Sequence, residues 1–213
     1  MEALDLSCFA SHLRVTPAMF TLRHISRLVS VLVVAGLPAV GRAQAPVIKP
    51  PSVDSGPRPV ANPADVQSVD AILSALYDVI SGPAGQKRDW NRFRSLFVPN
   101  ARLIPSRARQ DGSGADAIVW SVDDYATGVG PRLEQSGFFE REIARTSESF
   151  GNVVHAFSTY ESRRTPNDEK PFARGINSIQ LLKDGGRYWV VTIFWDSERP
   201  GNPIPEKYLA PKR

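Results

Sequence analysis

Apolar positions recur at spacings of three and four along Val66, Val69, Leu73, Leu76 and Ile80, and Ile72 and Val79 widen the stripe. That period predicts an amphipathic helix. Asn62 can cap it, Pro63 suits its first position, and Asp65 suits the positive end of its dipole. Gly82-Pro83 ends it. Trp90, Phe93 and Phe97 predict a shorter second helix, opening near Asp89 and closing before Pro99. Ala101 to Pro105 reads as a short strand, and residues 106–116, rich in glycine and polar side chains, read as a mobile loop. Ser121-Val122-Asp123-Asp124 predicts the cap of a third helix, which Gly128, Gly130 and Pro131 should weaken or break. From Phe138 the period changes to two, and β-branched and aromatic residues dominate. Four strands are predicted near 138–149, 152–162, 172–183 and 187–196, with hairpin turns at Gly151-Asn152 and Asp184-Gly185-Gly186. Helices followed by a run of antiparallel strands predict an α+β domain, its helices packed on one face of a curved sheet.

Ahead of that domain the pattern is different. Arg23 and Arg27 precede the apolar run Ile25 to Val40, which is short for a bilayer span, and Ala43-Gln44-Ala45 follows it. The combination describes a secretory leader over residues 1–45, whose start is Met1 or Met19, and an exported product, periplasmic or secreted. A membrane contact is expected only through this leader if it stays uncleaved. Residues 46–63 carry Pro46, Pro50, Pro51, Pro57, Pro59 and Pro63 and read as an extended linker. The domain is placed at 64–198 and a C-terminal tail at 199–213.

The leader changes what composition implies. The 213 residues carry a formal charge of +4. Without residues 1–45, 22 basic stand against 20 acidic side chains, so basicity is no evidence for a nucleic-acid partner. Cys8, Met1, Met19, His12 and His24 leave with the leader, and His155 is then the only histidine. Thiol catalysis, disulfides, zinc fingers and haem or iron–sulfur ligation are excluded by inventory, so no cofactor and no metal is expected.

The order helix, helix, short strand, helix, long strands resembles the nuclear transport factor 2-like superfamily, which includes SnoaL-like domains. Four stretches carry the resemblance, which spans roughly 64–198: Asp89 to Ala101, Phe150 to Glu161, Gly175 to Leu182 and Tyr188 to Trp195. It implies a cone-shaped antiparallel sheet closed by N-terminal helices around a pocket, and a homodimer formed through the sheet's outer surface. Superfamily members include isomerases, dehydratases, epoxide hydrolases, carriers and non-enzymatic assembly modules, so fold alone does not name an activity. The tyrosine-plus-acid constellation of the ketosteroid isomerases has no clear place on this chain, the scytalone-dehydratase pattern wants more than one pocket histidine where only His155 remains, and Arg174 with Asp196 supplies only two members of an epoxide hydrolase's Asp–Arg–Asp cluster.

Candidate site residues follow from strand register. A three-residue turn at Asp184-Gly185-Gly186 sets Ser178 against Thr192, Asn177 against Ile193 and Arg174 against Asp196. The apolar face then holds Ile179, Leu181, Trp189, Val191, Ile193 and Trp195, with Asn177 as its polar member; Asn177 and the aromatic residues Trp90, Trp120 and Trp195 are candidate ligand contacts. His155, the group that titrates near neutrality, lies opposite Glu148 if Gly151-Asn152 is a two-residue turn, which would make an acid–base pair. Asp196 is a candidate base, alternatively an ion-pair partner of Arg174. Tyr160, with Tyr77 and Tyr125, could donate to a developing oxyanion. Three functions therefore compete: a small apolar molecule bound in the cone, acid–base catalysis at His155, and a dimerisation or protein-interaction module.

Overall fold

The helical half is built from four short pieces. The computed structural model describes residues 58–210; the leader and residues 46–57 of the linker lie outside them. The stripe from residue 63 forms α1 (Pro63–Val66) and α2 (Val69–Ile80) rather than one helix. Ser68 interrupts it: its backbone is extended, and its hydroxyl accepts from the Ala71 N–H at 3.0 Å, capping α2 afresh. The stripe itself is buried as expected, Ile72 and Leu73 completely. Arg92 in α3 (Trp90–Ser95) grips Asp65 of α1 through two hydrogen bonds, at 2.8 and 3.0 Å, and reaches Asp78 of α2 at 2.5 Å. One planar fork thus fixes three helices together.

Phe97, expected on a helix, opens β1 (Phe97–Ala108), which is far longer than the strand predicted at 101–105. Much of the stretch read as a mobile loop is strand too, because β1 turns back into β2 (Ala115–Ala117). Helix α4 (Val122–Ser136) begins with the predicted cap, the Ser121 hydroxyl and the Asp124 carboxylate each bonding the other's backbone. It is not broken, and runs straight through Pro131. Gly130 is there for space: a Cβ at that position would stand 2.7 Å from the Trp90 ring. Gly128 faces open space. Alanine is therefore expected to act oppositely at the two sites, stabilising by up to about 1 kcal/mol at 128 through helix propensity and destabilising at 130, where the clash outweighs the same gain; urea midpoints of the two variants check the signs.

The remaining chain forms β3 (Phe139–Phe150), β4 (Val153–Arg163), β5 (Ala173–Asp184) and β6 (Arg187–Ser197), close to the predicted bounds. Six strands make one curved, open sheet in the order β2-β1-β6-β5-β4-β3. All neighbours are antiparallel except β1 and β6, which run parallel. The helices cover one face. The tail crosses the other, where the Tyr208 carbonyl accepts from Thr159 Oγ1 at 2.6 Å.

Two β-bulges set which side chains face the helices. In the last hairpin Asp184 pairs with Arg187, so the turn has two residues, and an extra residue at Val191 moves the register once more. Ile193 and Trp195 consequently point inward as expected, but Val190, completely buried, replaces Trp189 and Val191 on the inner face. Beyond this bulge Arg174 lies level with Glu198 and bonds it at 2.8 and 3.1 Å; Asp196 pairs instead with Arg199 at 2.7 Å. The second bulge, at Ile143 in β3, turns Glu140 and Glu142 toward the inner face, opposite Ser162 and Tyr160.

Candidate functional site

Between the helices and the inner face of the sheet lies a cavity of about 370 Å³. Its walls are mostly apolar, with Leu76 and Ile80 from α2, Phe93 from α3, Leu103 from β1 and Ile193 from β6. Trp120 and Trp195 complete an aromatic side, their rings 6.3 Å apart, with Tyr125 at 6.1 Å from Trp120. Tyr77, Tyr125, Glu140, Tyr160 and Asn177 also line the cavity, as do Ser106, Arg107, Arg132, Ser162 and Ser197. Apolar and aromatic walls with polar groups set into them are the usual composition of a small-molecule site.

Each polar group is placed by its neighbours. Glu140 is half-buried, its remaining exposure directed into the cavity and an adjoining groove, and one carboxylate oxygen accepts from Ser162 Oγ at 2.8 Å. Burial pushes the Glu140 carboxyl up to about 7, against the opposing pull of that hydrogen bond. Tyr160 stands opposite Gly175, where a Cβ would come within 2.6 Å of the phenol oxygen, so only glycine leaves room for it. Its hydroxyl shares a hydrogen bond with Ser197 Oγ at 3.2 Å. Burial raises Tyr160 to about 12, and the Glu140 charge adds to the rise. Tyr77 and Tyr125 are pushed above the usual phenol value by burial first and by Glu140 second. Three neutral phenols therefore surround one carboxyl poised between its two protonation states.

Solved NTF2-like proteins are similar to this chain. One from Shewanella baltica, of unknown function, is 15% identical with a TM-score of 0.38, covering 60% of this chain and 89% of its own. Another from Methylobacillus flagellatus, also of unknown function, is 15% identical with a TM-score of 0.40, covering 62% of this chain and 95% of its own. A cystatin-like protein of unknown function from Nostoc punctiforme is 10% identical with a TM-score of 0.45, covering 61% and 88%. No family model matches the chain, and no curated protein does. The α+β architecture itself rests on the strand register and helix packing described above.

Of the candidate ligand contacts, Asn177, Trp120 and Trp195 line the cavity. Trp90 stands behind its wall, edge-on to Phe93 at 5.4 Å and against Gly130. Tyr160 lines the cavity as well. His155 is indeed opposite Glu148, but both occupy the outer face of the sheet, and no hydrogen bond or ion pair joins them among the described residues. His155 Nε2 instead meets Ser178 Oγ at 2.9 Å. Asp196 also faces outward, into a separate hollow of about 380 Å³ beneath the tail. Glu140 is the functional candidate that sequence reading passes over; its one signal is a carboxylate two residues into a strand whose neighbour offers Tyr160 and Ser162. Among the described residues no cluster of three or more metal-ligating side chains occurs.

Proposed function

We propose that the cavity binds a small, mostly apolar molecule carrying one polar group. The supporting observation is a cavity whose walls are mainly apolar and aromatic and on which Glu140, Asn177 and three tyrosines are placed. Export through the leader and pairing of two copies through the outer sheet face belong to the same reading; Phe150, Val153 and Phe194, exposed on that face, are consistent with the latter. A bicyclic probe such as 2-decalol tests the binding. Val129 on α4 lines the cavity, and Val129→Trp should fill it and weaken the probe at least tenfold by isothermal titration while near-ultraviolet dichroism stays native. Equal affinity for both proteins would place the probe elsewhere.

One observation favours a second reading, acid–base chemistry. Glu140 with its neutral tyrosines is a carboxyl that can take or return a proton near pH 7 inside a cavity lined by phenol donors. The catalytic role assigned to His155 in the sequence passes, on this reading, to Glu140.

A further inference from the structure

The orientation of one buried amide decides which polar group the cavity accepts. Asn177 on β5 is 7% exposed and lies directly across from Ser158 on β4, with Tyr77 of α2 above both. Four side chains form a line: Asn177 Nδ2 is 3.1 Å from Tyr77 Oη, Tyr77 Oη is 2.7 Å from Ser158 Oγ, and Ser158 Oγ is 2.7 Å from Glu142 Oε1. Glu142 forms an ion pair with Arg145, whose Nε lies 3.6 Å from its Oε1. Arg145 also pairs with Asp70.

Counting protons along this line leaves one arrangement. An ionised carboxylate only accepts, so the single Ser158 proton goes to Glu142. Ser158 must then accept from Tyr77, which uses the only phenol proton. Tyr77 therefore cannot donate to Asn177, and the amide must present Nδ2 to the phenol oxygen. The opposite amide orientation would set two acceptors against each other. That leaves Oδ1, a pure acceptor, with no donor among the described residues, on a side chain that lines the cavity.

We propose that Asn177 is the specificity-determining acceptor of the cavity, selecting small apolar molecules that carry a hydroxyl or N–H donor over the corresponding carbonyl compounds. The proposal rests on the cavity-binding reading above. A hydroxyl can donate to Asn177 Oδ1 and accept from a tyrosine in the same wall. A carbonyl can only accept, and leaves the buried amide oxygen unpaired. The line Tyr77–Ser158–Glu142 acts through Asn177 as a positioning device, with its charged end beyond reach of the ligand.

The test compares 2-decalol with 2-decalone, which share one carbon skeleton, by isothermal titration on the full chain. The wild type is expected to bind the alcohol roughly ten- to a hundredfold more tightly. Ser158 is not part of the cavity wall. In Ser158→Ala the Tyr77 proton loses its acceptor, the amide is free to turn and take it on Oδ1, and Nδ2 then faces the cavity. The alcohol-to-ketone ratio should collapse by at least tenfold, a change that a merely structural serine would not produce. Tyr77→Phe, which removes the group that pins the amide, should narrow the same ratio and serves if Ser158→Ala does not fold. Equal affinities in the wild type, or an unchanged ratio in the folded variant, overturn the assignment of Asn177. Absence of binding by either compound overturns the cavity reading, and this proposal with it.

Discussion

Replacing Arg88 with alanine is expected to destabilise the protein by about 3 kcal/mol, the cost of leaving several buried carbonyls without a donor. Arg88 is 6% exposed, and its guanidinium is spent entirely on backbone oxygens. Nε donates to the Ile80 carbonyl at 2.9 Å, Nη2 to Gly82 at 2.7 Å and to Leu133 at 3.2 Å, and Nη1 to Gln86 at 2.5 Å. Ile80 closes α2, Leu133 belongs to α4, and both line the cavity. The side chain therefore does what a helix cap does for two elements at once, at the point where they form one wall of the site. Lysine keeps the charge but lacks the planar fork, so Arg88→Lys should recover only part of the loss. Urea unfolding gives the magnitude, and titration with 2-decalol gives the consequence: a variant that stays folded but loses the probe would show that the clamp shapes the cavity. A change below about 0.5 kcal/mol would mean that water replaces the guanidinium without penalty.

Regular elements were legible because their periods are. The 3.6-residue stripe of α2 and the alternation of β3 to β6 each depend on many residues, so no single position can mislead them. What the pattern could not show is where one residue is inserted. Bulges at Ile143 and Val191 each exchange the two faces of a strand, and neither residue has a composition that marks it. At Val191 the bulge and the two-residue turn together shift the register by two, which is why Asn177, Ile193 and Trp195 still face inward while Arg174 meets Glu198 in place of Asp196. At Ile143 a strict continuation of the hairpin register would have put Glu140 on the outer face with Glu148. The most informative carboxyl in the cavity was hidden by one inserted residue. His155 drew notice for its chemistry alone, and the same hairpin register places it opposite Glu148 on the face away from the helices. Continuity of α4 through Gly130 and Pro131 was hidden differently, since the reason for Gly130 is the ring of Trp90, forty residues earlier in the chain.

Glu140→Gln is expected to make the folded protein more stable above pH 7, by about 3 kcal/mol, and to leave it unchanged in strongly acid solution. The sign follows from where the proton sits. Burial lifts the folded carboxyl from the usual 4.5 to about 7, so between those values the folded chain holds a proton that the unfolded chain has released. The stability linked to this group is complete below pH 4.5 and is lost as pH rises through 7. A rise of this size corresponds to roughly 3 kcal/mol. Glutamine keeps an acceptor for Ser162 and carries no charge, so it resembles the protonated acid and escapes the loss. Urea midpoints of both proteins, compared from pH 4 to 8.5, should coincide at the acid end and diverge upward; parallel profiles would place the carboxylate in water rather than in the cavity. Occupation of the cavity sharpens the same contrast. An apolar ligand displaces water from around Glu140 and penalises the ionised form further, so binding should favour the protonated state. Affinity for 2-decalol is then expected to weaken above pH 7 in the wild type and to stay level in Glu140→Gln. A pH dependence retained by the variant would assign the titrating group to another residue and remove Glu140 from the acid–base reading.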